Sequence, residues 1–151
     1  MDAKRLVIGT LAGGVVVYAL GYLIFILAFG SFYAANVGSA TGVVRDPEIQ
    51  WAVFVGSCAY AALITLMMGI TGDTISTGDA MKRGAAVGFL LWVTADFIFY
   101  GATNVSNLTR TAVDPVLELV RGGLSGGIIA VILSKVGGGV RVRGRRETVG
   151  V

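Results

Sequence analysis

The chain has 151 residues, 55% hydrophobic and only 14% charged, with a mean hydropathy of +0.80. A soluble domain is about 45–50% apolar and about 25% charged, so this composition excludes one, and it excludes intrinsic disorder, which needs little hydrophobicity and much charge. The formal charge is +3, there is no histidine, and Cys58 is the only cysteine, which excludes Ser-His-Asp and Cys-His catalysis, histidine-ligated haem, an internal disulfide and a Cys-rich metal site.

A membrane-spanning helix uses roughly 20 apolar residues. The first such window is Leu6–Phe29, inside a charge-free stretch from Arg5 to Arg45. It is longer than the apolar region of a cleaved leader and reads as a retained helix. Tyr22, Phe25, Phe29, Phe32 and Tyr33 collect at its far end, where aromatic rings suit a membrane–water interface. The second window, Trp51–Ile70, carries no charge and follows Pro47, a residue suited to a turn or a first helical turn. Gly72-Asp73 and Gly78-Asp79 read as turns in the next connection. The third window runs from Gly84 to about Asn104 and holds one acid, Asp96. The fourth runs from about Ala112 to Ser134 and holds Asp114, Glu118 and Arg121, with Pro115 placed for a first turn.

Orientation follows from Lys and Arg near the span ends. With the N-terminus inside, the inner segments hold Lys4, Arg5, Lys82, Arg83, Lys135, Arg141, Arg143, Arg145 and Arg146, against Arg45 and Arg110 outside. The prediction is an all-α polytopic membrane protein, a four-transmembrane-helix bundle with both termini cytoplasmic. Its spans lie at about 6–29, 51–70, 84–104 and 113–134 of a domain over 1–135, followed by a basic, flexible tail at 136–151. The tail reads as a topology signal and a contact for anionic lipid headgroups rather than for nucleic acid. The expected location is the plasma membrane, in the simplest case a bacterial inner membrane.

Small residues recur four apart at Gly84 and Gly88, Gly122 and Gly126, and Gly123 and Gly127. In lipid, such residues let helix backbones approach closely. Whether these faces pack within one chain or join copies as a homo-oligomer stays open at this stage.

The polar residues inside the spans carry the most information. Asp96, Tyr100 and Asn104 are spaced by four, and Asp114, Glu118, Arg121 and Ser125 by four, three and four. Each set therefore lies along one helical face. Charges within a span are costly and turn to the bundle interior, so the two faces are expected to meet. Glu118 and Arg121 can pair within their helix, or Arg121 can reach Asp96. One reading is a site for a small polar or ionic solute, bound or transported, formed by Asp96, Tyr100, Asn104, Asp114, Glu118 and Arg121. The other is a charge network that fixes helix register in a structural or accessory subunit, which docks a partner through its glycine faces. Asn104 and Asn107 fit glycosylation patterns but read as solvated or capping residues. Phosphate-loop and metal-ligand patterns are missing, so neither an enzyme nor a cofactor is expected.

Phe32-Tyr33-Ala34-Ala35-Asn36-Val37-Gly38 after a first span, Gly84-x-x-x-Gly88 before an Asp in the third, Thr103-Asn104, and Asp114 opening the fourth resemble the small bacterial membrane proteins of domain of unknown function 2177. The related domain of unknown function 1761 shares the layout. The resemblance implies four spans and a polar third–fourth helix pair, and no activity.

Overall fold

The computed structural model describes residues 3–70 and 75–136. All of its regular elements are helices: α1 (Ala3–Gly21), a π-helical continuation (Tyr22–Ala28), α2 (Gly30–Ala35), α3 (Gln50–Gly69), α4 (Thr77–Ala102) and α5 (Leu108–Val136). No strand occurs among the described residues, only an isolated bridge between Val37 and Ser106. Four stretches are long and apolar enough to cross a membrane: Ala3–Ala28, Gln50–Gly69, Thr77–Ala102 and Leu108–Lys135. The tail arginines and the Gly72-Asp73 turn lie outside the described residues.

The apolar windows locate the helices but not all their ends. α4 begins seven residues before the expected Gly84, because Ser76 caps it, accepting a bond of 3.0 Å from the Asp79 amide and donating one of 2.7 Å to the Asp79 carboxylate. A capped helix start tolerates charge that ends an apolar window. Gly78-Asp79 is thus the first turn of α4 rather than a loop turn, and Lys82 and Arg83 are helical. Arg83 donates to the Met67 carbonyl at 2.7 Å and so satisfies an open carbonyl in the last turn of α3. At the other end, α4 stops at Ala102, leaving Asn104 in the connection. α5 starts early for a similar reason: the Asn107 side chain accepts from the Arg110 amide at 2.9 Å, the N-cap bond that the sequence allowed for. Pro115 consequently lies inside the helix, beyond its first turn.

The closest pair is α4 with α5. Gly84 faces Gly122 and Gly126, Gly88 faces the Glu118 carbonyl, and Gly126 faces the Ala80 carbonyl. The residue numbers fall on one helix as they rise on the other, so the two run antiparallel. A Cβ at Gly84, Gly88, Gly122 or Gly126 would land on the opposing backbone; the glycines exist here to remove that atom. Gly123 and Gly127 lie to the side, against Ala85 and Met81. The glycine faces are therefore used within the chain. α1 runs antiparallel to α3, with Gly9 at Thr65, Gly13 at Ala61 and Gly14 at Cys58, and it also meets α5 through Gly13 and Ile129. Where these helices converge, Val17, Tyr60, Ala61, Ile64, Ile129 and Ala130 are buried.

α5 is the most enclosed helix and α4 the least. The order makes sense for a helix in lipid: the charged span must turn its charges inward, while a helix with one acid can present Phe89, Leu90, Phe97 and Ile98 outward. Beyond the spans, the segment after α2 is tied to the α4–α5 connection. Gly38 and Ala40 donate to the Val105 and Asn104 carbonyls, both at 3.0 Å, and Asn107 donates to Asn36 at 3.2 Å.

Candidate functional site

The site is built on one face of α5. Asp114, Glu118, Arg121 and Ser125 are all buried, Glu118 to 1% exposure and Arg121 to 8%. Arg121 Nη1 donates to Glu118 Oε1 at 2.6 Å, one turn back along the helix. Its Nε and Nη2 both donate to the Val17 carbonyl of α1, at 3.1 and 3.0 Å. A carbonyl inside a helix keeps a spare lone pair, and a guanidinium fork can use it. The guanidinium also lies 5.5 Å from the Phe25 ring centroid and 5.6 Å from that of Tyr60, distances at which an aromatic face attracts a cation. Gly21 makes the approach possible, since a Cβ there would stand 2.8 Å from Nη2.

The second part of the site is one turn toward the N-terminus of α5. Tyr33 in α2 donates its hydroxyl to Asp114 Oδ1. The Asp96 carboxyl, from α4, faces Asp114, and Arg110 lies 4.8 Å above the Tyr33 ring. Among the described residues, three buried side-chain oxygens have no hydrogen-bond partner: Asp96 Oδ2, Glu118 Oε2 and Ser125 Oγ.

Two cavities meet at this face. One, of about 460 Å³, is lined by Phe25, Tyr33, Glu48, Trp92, Arg110, Asp114, Glu118 and Arg121, among others. The other, of about 500 Å³, lies between the end of α1, residues 46–50 and α3, where Tyr18 and Ser57 line it. Phe25, Ile26, Glu48 and Arg121 border both. Phe25 and Ile26 belong to the π-helical turns, whose wider geometry often accompanies functional sites.

Of the six residues the sequence placed in one site, the structure brings Asp96 to Asp114 and joins Glu118 to Arg121. Arg121 takes Glu118, not Asp96. Tyr100 and Asn104 are left out of the cluster, both exposed. A step of four residues rotates about 40° around a helix, so Tyr100 has already turned away from Asp96. Asn104 lies past the helix end and meets the Gly38–Ala40 segment through its backbone carbonyl. The face argument also missed three residues. Tyr33 reads from sequence as one more belt aromatic. Tyr60, buried on α3, donates to the Glu118 carbonyl at 3.4 Å, and Trp92 packs 5.1 Å from its ring. Its phenolic hydroxyl in a charge-free span was the only signal for Tyr60, because a buried tyrosine needs a partner.

Compared with known protein families, curated proteins and solved structures, the chain matches none. What can be said of the site rests on its own geometry.

Tyr33 gives that geometry a pH signature. Burial, the hydrogen bond to Asp114 and the charges of Asp114 and Glu118 hold its hydroxyl protonated well above the ordinary tyrosine value of 10.0, with Arg110 opposing. A raised value means that the stabilising contribution is whole below pH 10.0 and is lost as the pH climbs beyond it. Tyr33→Phe is therefore expected to leave tyrosinate absorbance unchanged up to about pH 11 and to flatten the alkaline fall in stability. A loss of absorbance in that range would show that Tyr33 does not donate to Asp114.

Proposed function

We propose that this protein is a four-helix-bundle membrane protein, with both termini on the cytoplasmic side of a plasma membrane, that binds a small polar or ionic solute. The observation that carries the reading is the buried Glu118–Arg121 pair at the wall of a cavity of about 460 Å³. Intramembrane charges that line a cavity mark solute or ion pathways more often than they serve stability, and a buried ion pair gains little over an apolar replacement. The Lys and Arg asymmetry supports the orientation. No catalytic step is assigned.

The rival reading, an accessory subunit docking through its glycine faces, loses its main support, because Gly84, Gly88, Gly122 and Gly126 already pack against the facing helix backbone inside the chain. Native mass spectrometry of the protein in nanodiscs separates the two. A discrete small mass is expected on the wild type and absent from Asp114→Asn, which keeps an acceptor for Tyr33 but removes a cavity carboxylate. A wild type that carries no added mass, or an adduct that Asp114→Asn retains in full, would overturn the proposal.

A further inference from the structure

The connection between α2 and α3 runs over residues 36–49. It is longer than most links between helices, and a link of that length without regular structure is most often a binding loop or a lid. Both of its ends are tied. Gly38 and Ala40 are bonded to the α4–α5 connection, and at the start of α3 the Tyr18 hydroxyl donates to Gln50 Oε1 at 2.6 Å. Between these ties runs a strap with little to hold it. From Thr41 to Glu48 no backbone group is hydrogen-bonded to another backbone group, and every residue is exposed. Gly42 has a φ of +68° with nothing within 4 Å of the place a Cβ would take, so the chain can pivot there.

The strap stands at the rims of both cavities. Val44 and Glu48 border the one of about 460 Å³, and Asp46, Pro47 and Glu48 the one of about 500 Å³. Val44 is nevertheless 74% exposed, while the cavity it borders offers Phe25, Ala34, Val37 and Trp92 as apolar wall. An apolar side chain left open at the rim of such a wall gains by moving onto it.

From this we infer that residues 41–49 are a lid over the solute site, which pivots at Gly42 and closes by carrying Val44 onto the wall around Trp92. The inference rests on the solute-binding reading and adds how access to that site is controlled. The ties at Gly38–Ala40 and Gln50 confine the motion to the strap, so closure asks nothing of the helix packing. Glu48 borders both cavities, so one movement covers both. Closure takes water away from the charged face of α5, where each electrostatic contact then counts for more.

Trp92 reports the lid. The other tryptophan, Trp51, is 72% exposed, so Trp51→Phe leaves one emitter, on the cavity wall. In nanodiscs, its quenching by acrylamide, a neutral water-soluble probe, follows how often the cavity is open. Val44→Asp is expected to raise the quenching constant by about twofold or more, because a carboxylate is held back from an apolar wall. Val44→Ile is expected to keep the wild-type value. Val43→Asp places the same charge on the neighbouring residue, which borders neither cavity, and is expected to leave the constant unchanged. Val43 and Val44 are 50% and 74% exposed, so none of these changes disturbs the core.

An unchanged constant in Val44→Asp would overturn the lid. So would an equal rise in Val43→Asp, which would be an effect of charge on the strap and not of Val44. The measurement needs no solute, so the lid and the solute-binding reading fail separately. A protein without a co-purified mass loses the solute, and the quenching still decides whether the strap closes.

Discussion

Arg121→Met is expected to destabilise the protein by about 3–5 kcal/mol, measured by unfolding in detergent or in bicelles. The reason lies in what remains. Glu118 is 1% exposed, and its contact with Arg121 is the only ion pair it makes among the described residues. Without the guanidinium, a carboxylate stays deep between helices with no counter-charge, and both bonds to the Val17 carbonyl that hold α1 to α5 are gone. Glu118→Met is expected to cost a similar amount for the mirror-image reason. The double variant Glu118→Met/Arg121→Met removes both charges and is expected to recover most of the loss, because apolar residues of similar volume replace a buried pair at little net cost. A double-mutant cycle reads the coupling directly. Single variants no worse than the double would mean that the pair is wet in the membrane and contributes nothing.

The second large effect is steric. Gly122→Val is expected to cost about 3 kcal/mol or more and to part α4 from α5 along much of their length. A Cβ at Gly122 would fall on the Gly84 carbonyl and 2.7 Å from the Tyr60 hydroxyl. The carbonyl belongs to a hydrogen-bonded helix and cannot yield without moving the whole of α4. Separation would also release the Asp96 carboxyl from Asp114, so the proposed solute site would fail with the packing. The control is Gly56→Ala, where nothing lies within 4 Å of the added atom and stability is expected to hold or rise slightly. Crosslinking between cysteines placed on α4 and α5 follows the separation; full crosslinking in Gly122→Val would show that the two backbones are not in close contact there.

The charged face of α5 shows how much of the site the sequence could carry. Glu118 and Arg121 are three residues apart on one helix, so the spacing offered their pairing as one of two options, beside Arg121 with Asp96, and the structure takes the local one. The Val17 carbonyl is 104 residues away from Arg121, and Tyr33 is 81 from Asp114. Neither partner has a local pattern that points to the other. Tyr100 lies outside the cluster for a related reason: a run of polar residues spaced by four drifts around the helix, and only the position of the neighbouring helix decides which of them end up inside.

The sequence by itself determined the class of this protein. Four windows of low charge and high hydropathy mark four helices able to cross a membrane, because the transfer of roughly 20 apolar residues into hydrocarbon is a property of each window alone. The glycine spacings named the surfaces where helices could touch. Only the tertiary structure decided that Gly84 meets Gly122 within one chain, that Arg121 reaches α1 as well as Glu118, and that an acceptor oxygen of Glu118 is left without a hydrogen-bond partner. Those outcomes depend on how far each helix is rotated and shifted against the others. That registry is set by the sum of many contacts between residues distant in the chain, and no single window contains it.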